Sequence, residues 1–263
     1  MDDTYELFAL RYATMAERTQ GTNFIFPDDH AAPMPIDYYV FVIRGAYRSF
    51  VVDTGFSAAD SVKRGRDLMH SVPDILKQVG IDAAMQRDVI LTHMHWDHAG
   101  GMDAFPRARF HIQESEIGYC TGRCMCFEVL RRPFDVEHVV SAVRALYAER
   151  IRFYDGTTEL APGITLHLIG GHSGGIQAIR VRTKRGWVVL AGDTTHFWAN
   201  IRTRNPFPIV HNVERMLAGF DTLEALADGP DHIIPGHDPL ILTRFPHPDG
   251  HPDIARVDLE PVA

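Results

Sequence analysis

The segment Val89-Ile90-Leu91-Thr92-His93-Met94-His95-Trp96-Asp97-His98-Ala99-Gly100-Gly101 restricts this chain more than any other. Four side chains of metal-binding type, His93, His95, Asp97 and His98, fall within six positions directly behind an apolar run. Where a chain is extended, successive side chains point to opposite sides, so His93, His95 and Asp97 share one direction and His98 takes another. That spacing can feed two neighbouring cations. Imidazole and carboxylate donors without thiolate suit zinc, and equally iron, manganese or cobalt, so the donors alone leave the metal open. As an ordinary polar loop, the same residues would cost solvation and chain entropy for no structural return.

Three single donors follow in glycine-rich settings: Gly170-Gly171-His172-Ser173, Ala191-Gly192-Asp193 and Pro235-Gly236-His237-Asp238. Together with the HxHxDH pattern at 93–98, this ordered set resembles the metallo-β-lactamase superfamily over about residues 38–240. The resemblance implies a four-layer αβ/βα sandwich. It further implies two divalent metal ions, zinc foremost, with His93, His95 and His172 on one, Asp97, His98 and His237 on the other, and Asp193 bridging. Asp53, in Asp53-Thr54-Gly55, resembles a family residue that orients a ligand histidine. A turn-forming aspartate before glycine is the other reading of it.

A chain of 263 residues with 45% hydrophobic content can bury a sizeable core, and it is read as a single domain over 1–263. The start Met1-Asp2-Asp3-Thr4-Tyr5-Glu6 is acidic and no run reaches membrane-spanning length, so neither a secretory leader nor a membrane partner is expected. Cys120, Cys124 and Cys126 are an odd number in one segment, a poor disulfide framework. The expected compartment is therefore the cytoplasm. A net charge of −8 repels phosphate backbones and argues against a nucleic-acid partner. The chain is expected as a monomer or homodimer.

In chain order, residues 5–15 read as a strand, and 38–43 with 49–52 as two more around Gly45. Between them, residues 19–35 form a loop carrying Phe24 and Phe26, which either tacks it to the core or gates a substrate. The apolar spacing from Val62 to Val79 predicts a helix over 61–79, kinked or divided at Pro73 and stopped by Gly80. Strands follow at 88–91 and 110–112. Residues 114–155 predict a helical insertion, with Val136, Val139, Val140, Val143 and Leu146 on its apolar side. The three cysteines in it have no adjacent fourth ligand, which favours packing over a zinc or redox role. Strands are expected at 163–168, 177–182, 187–191 and 232–234, and a helix at 221–227. The tail after His237, rich in Pro, His and Asp, reads as a surface wrap or partly disordered.

Two divalent cations outweigh two aspartates and one bridging hydroxide, so the implied site is net positive and favours an oxyanion. Hydroxide held between two cations can attack a lactone, ester, thioester or amide carbonyl, with Asp97 as ligand and proton shuttle. The layout is most similar to the N-acyl homoserine lactonase branch, with Trp96 after the second histidine and an aromatic-bearing loop ahead of the first long strands. A lactone or related ester is therefore the expected substrate. Two positions depart from that branch. Ile176 stands where a second histidine would fall, and His196 stands where those lactonases carry a tyrosine that assists at the substrate carbonyl. His196 is accordingly a candidate catalytic donor, or else an ordinary core residue. Trp96, Phe24, Phe26 and Phe197 are candidate substrate contacts, or equally core. A thioesterase, an amide or β-lactam hydrolase of the same fold, and a non-catalytic metal-binding sensor stay open as alternatives.

Overall fold

The strand Ile36–Arg44 contains almost no polar residue on either side of its pleat, the pattern of a strand covered on both faces. In the computed structural model, which describes residues 4–262, it is β2, at the heart of the larger sheet. β1 (Glu6–Met15) runs antiparallel to it from Glu6 opposite Arg44 to Met15 opposite Ile36. Beyond β2 come β3 (Ser49–Val52), β5 (Asp88–Ile90), β6 (Arg109–Gln113) and β7 (Ile151–Tyr154), these four joined in parallel. On the other side, β1 also pairs with β4 (Asp67–Leu68) and β13 (Ile254–Arg256). The smaller sheet runs β12 (Ile233–Ile234), β11 (Gly186–Leu190), β10 (Gln177–Thr183), β9 (Ile164–Leu168), β8 (Thr157–Ala161).

Alternation along β2 sorts the core into layers. Tyr39, Phe41 and Ile43 meet Leu166, Ile179 and Val188 of the smaller sheet, while Val40 and Val42 face the helical side with Ile75, Leu76 and Ala142. On the far face of the smaller sheet, Val189 and Ile233 pack under Met216, Phe220 and Leu223 of the helix Val213–Leu226. The order helix, sheet, sheet, helix is the αβ/βα sandwich expected. Each fully buried Leu, Ile, Val or Phe in these layers contributes about 1.5–3 kcal/mol relative to an exposed one.

Several elements differ from the sequence reading. The helix over 61–79 is divided, after Arg64 rather than at Pro73, into Ala58–Arg64 and Val72–Lys77 with β4 between. Gly65 ends the first in the left-handed conformation at φ 61°, and Ser71 caps the second with Pro73 in its first turn. Val62, expected on a buried face, is 85% exposed. The helix Val136–Tyr147 buries Ala142 and Ala145, whereas Val136 is 70% exposed, because small residues let that helix sit close to the sheet. The helix expected at 221–227 begins earlier, at Val213, capped by Asn212. The tail is not loose: it adds β13 at the edge of the larger sheet, with Ile254 and Ala255 buried. Met1-Asp2-Asp3, part of the acidic start behind the expectation of no leader, lies outside the described residues. Among those described, no helix is long and apolar enough to cross a membrane.

Candidate metal centre

Loops that leave β3, β5, β9, β11 and β12 converge at one end of the two sheets. The β5 loop carries His93, His95, Asp97 and His98, the β9–β10 loop His172, the loop after β11 Asp193 and His196, and the loop after β12 His237. Main-chain hydrogen bonds splice them: Thr54 N–H donates to His98 O at 2.7 Å, Gln177 N–H to Thr92 O at 3.0 Å, and His237 N–H to His196 O at 3.0 Å. Two glycines are demanded by this closeness. A Cβ at Gly101 would lie 2.2 Å from Thr54 O, and one at Gly236 would lie 2.7 Å from Asp193 Oδ1.

The histidine tautomers follow from their outer partners. His172 Nδ1 lies 2.7 Å from Ile209 O and His237 Nδ1 lies 2.7 Å from Asp37 O, and a carbonyl only accepts. Each Nδ1 must therefore carry the proton, which leaves Nε2 with its lone pair facing inward. His98 Nδ1 is held the same way by Asp53 Oδ2 at 2.8 Å. Asp53 also accepts from the Thr92 N–H and hydroxyl, and it sits at φ 64°, a conformation rare for aspartate that these contacts sustain.

Donor atoms of His93, His95, His172 and Asp193 lie within 4.8 Å of one another, as do those of Asp97, His98 and His237. His172 Nε2 is 2.9 Å from His95 Nδ1 and 3.2 Å from Asp193 Oδ2, while His93 Nε2 is 3.9 Å from that oxygen. Tetrahedral zinc with bonds of about 2.0–2.1 Å has donor–donor edges of about 3.3 Å, so the spacing fits. The second oxygen of Asp193 serves the other set: Oδ1 is 3.3 Å from His98 Nε2 and 3.0 Å from His237 Nε2. Asp97 Oδ2 stands 3.8 Å and 3.9 Å from the same two nitrogens. His93 Nε2, His98 Nε2 and Asp193 Oδ1 are buried without a hydrogen-bond partner. Buried polar atoms are seldom left so, and cations satisfy all three.

Burial pulls His93 and His95 well below the ordinary imidazole range, which keeps them neutral and ready to ligate. On His98 and His237 burial pulls the same way, but Asp193 and its neighbouring carboxylates outweigh it and hold both raised. Burial pushes the Asp193 carboxyl up, yet the surrounding His196, His237 and His98 carry it well below its usual value. A cation takes the place of those protons, since it answers the same negative charge.

His196, expected as a donor to the substrate carbonyl, is buried beside Asp193. Its Nε2 lies 3.1 Å from Asp193 Oδ2, and Phe207 covers the ring face at 3.7 Å and 3°. Burial takes its pKa down to about 3. The ring is buried between Asp193 and Phe207, and its Nδ1 has no hydrogen-bond partner. His196 also groups with Asp193 and His237 as a third set of donors close enough to share an ion.

The cavity that His95 and His172 line, about 690 Å³, is also lined by Trp96 but by none of the other expected contacts. Phe24 and Phe197 are enclosed in packing, and Phe26 points to solvent at 79% exposure. The 19–35 segment reaches the cavity instead through Gly21 and Thr22. It is pinned by a bridge from Thr19 to Pro33 and by Ile25 N–H donating to Pro206 O.

Glu116 escaped the sequence reading. It is fully buried and accepts from Met94 N–H at 2.9 Å, Ser173 Oγ at 2.7 Å and Gly175 N–H at 2.8 Å, tying the loops of His93 and His172 together. Burial raises its pKa despite those donors. The sequence signal for it was faint: a glutamate just past β6 with no basic residue beside it.

Residues 34–237 match the family model of the metallo-beta-lactamase superfamily. An N-acyl homoserine lactonase of Bacillus thuringiensis is 28% identical over 157 residues, 59% of this chain and 53% of that protein. The match thus spans about half the length of such curated relatives. A probable metallo-hydrolase of Mycobacterium tuberculosis is 27% identical over 223 residues, 75% of this chain and 70% of that protein. Among solved structures, a quorum-quenching N-acyl homoserine lactone lactonase superposes with a TM-score of 0.74 at 22% identity, over 91% of this chain and 95% of that one. At such identity the likeness speaks for the fold.

Proposed function

The chain belongs to the metallo-beta-lactamase superfamily, and from that premise and the donor geometry we propose that it is a dinuclear metal-dependent hydrolase that opens a lactone or related carboxylic ester. The observation that carries this reading is Asp193, whose two oxygens face two separate sets of imidazoles. A carboxylate so placed is suited to bridge two ions. When bound, a pair of divalent cations lowers the pKa of a shared water towards neutrality and polarises a carbonyl oxygen.

The remaining chemistry belongs to the chain's own groups. Asp97, less deeply buried than the histidines, keeps one carboxylate oxygen to accept the proton of the attacking water. Asp53, Ile209 O and Asp37 O hold His98, His172 and His237 in their ligating tautomers. No side-chain nucleophile is required. Cys120, the buried cysteine, has its pKa pushed up to about 12 by burial and stays protonated.

The test couples metal analysis to a hydrolysis panel of short, long and aromatic lactones, simple esters, thioesters and β-lactams. We expect two ions per chain in fully active protein, zinc foremost, and turnover of lactones or esters that chelation abolishes. Full activity with one ion would remove the dinuclear reading. Turnover confined to thioesters or β-lactams would replace the substrate class, and metal binding without any turnover would favour a sensor.

A further inference from the structure

The cavity beside the donors is lined by Arg18, Lys63, Arg64, Arg66 and Arg132, and by no aspartate or glutamate. In a chain of net charge −8, this is a local reversal of sign. Elsewhere the fold pairs its arginines: Arg11 with Asp37 and Asp253, Arg44 with Glu6, Arg256 with Asp258. Of the cavity's cations, Lys63 meets Asp135 at 2.5 Å. Among the described residues, Arg18, Arg64, Arg66 and Arg132 make no ion pair.

Three of these arginines are held in place by neutral groups. Arg18 donates to Asn23 Oδ1 and Thr22 O, Arg64 to Arg132 O and Phe134 O, and Arg66 to the Tyr38 hydroxyl and Arg64 O. Such partners fix a guanidinium without cancelling its charge. The Arg64 Nε is buried with no hydrogen-bond partner at all. The guanidinium carbons of Arg64 and Arg66 lie 5.2 Å and 5.7 Å from the Trp96 ring centre, and Trp96 sits between the donors His95 and Asp97 in the chain. Like charges gathered in a partly buried cavity repel, and a bound anion relieves that repulsion.

We propose that the substrate of this centre carries a negative charge of its own, a carboxylate or phosphate group, recognised by Arg18, Arg64 and Arg66 beside Trp96. The proposal rests on the hydrolase reading above and narrows it: a neutral acyl homoserine lactone makes no use of these cations. Planar guanidinium forks suit the paired oxygens of carboxylate and phosphate.

The experiment uses the metal-loaded protein with a matched pair, mono-para-nitrophenyl succinate and its neutral methyl ester, and calorimetry with succinate and inorganic phosphate. We expect the charged ester to be preferred, and the charged-to-neutral ratio of kcat/KM to fall at least about tenfold in Arg64→Gln and in Arg66→Gln. The lysine variants should keep an intermediate ratio, and they decide the matter if a glutamine variant does not fold. Arg107→Gln, at an exposed site away from the cavity, should keep the parent ratio. Hydrolysis of both esters without charge preference, or a ratio unmoved by the substitutions, overturns the inference and leaves the hydrolase reading standing. If neither ester is cleaved, ester hydrolysis itself fails and calorimetry decides. Succinate or phosphate binding weakened by the glutamine variants upholds the anion site, and binding unaltered by them overturns it.

Discussion

A histidine turns its lone pair to a cation when its other nitrogen keeps the proton and donates it in a hydrogen bond to a fixed acceptor, and in this centre Asp53, Ile209 O and Asp37 O are those acceptors. His196 extends the same logic by one step. Its Nε2 faces the proposed bridging carboxylate at 3.1 Å and Phe207 fixes its plane, a geometry that suits a positioning residue acting through Asp193. His196→Phe is therefore expected to weaken metal binding about 10–100-fold while lowering kcat less than about tenfold once metal is saturating. His196→Gln, which keeps an N–H, should recover part of the affinity. A competition titration with a coloured chelator, followed by kinetics at saturating metal, separates the outcomes: a kcat loss of about 10²–10³ with affinity intact would restore the substrate-facing role. The seven donors were legible because glycines and apolar runs flank them at short range. The acceptors Ile209 O and Asp37 O were not, since a backbone carbonyl leaves no mark in a sequence and each lies far along the chain from its histidine.

At the level of elements, the helix Glu114–Cys120 carries in its first turn Glu116, which locks two ligand loops together. Glu116→Ala leaves the Met94 and Gly175 N–H groups and the Ser173 hydroxyl buried and unpaired, so metal affinity should drop about 10–100-fold. Glu116→Gln, which turns one acceptor position into a donor, should fall between. Unchanged affinity with a lowered melting temperature would make Glu116 a packing residue only. The tail element invites a pH test. Burial raises the Asp253 pKa, but hydrogen bonds to His70 and Arg11 outweigh it and leave the folded value below the reference of 3.8. Its stabilisation is thus complete above pH 3.8 and is lost as the pH falls through the folded value. Asp253→Asn should cost about 1 kcal/mol at neutral pH, with the difference vanishing in acid. An equal deficit at all pH values would point to shape rather than charge. The sequence hid this tail because three short residues pairing with β1 carry too little periodicity to stand out from prolines and histidines. It hid the break at Gly65 because apolar residues on both sides kept helical spacing while facing different surroundings.

At the scale of the whole molecule, the donors come from both sheets. His93, His95, Asp97 and His98 hang from the larger sheet, and His172, Asp193 and His237 from the smaller. The apolar layer between the sheets holds them face to face, and Gln177 adds a polar rivet, donating to Leu91 O and His111 O across the gap. Ions held at this end would act as a second fastening, one that only the folded chain assembles, so that binding them would be folding free energy. Metal at about a thousand times its dissociation constant contributes about 4 kcal/mol, and for a chain of this size each kcal/mol moves the melting temperature by about 2–4 °C. Chelation is therefore expected to lower the melting temperature by roughly 10 °C, and stoichiometric zinc to restore it. The restoration should need two equivalents, with Asp193→Ala losing most of the gain and Glu214→Ala, on the exposed side of its helix, losing none. A melting temperature indifferent to chelation, in protein shown to have released its metal, would mean that the sheets alone set the stability and that the centre exists for chemistry only.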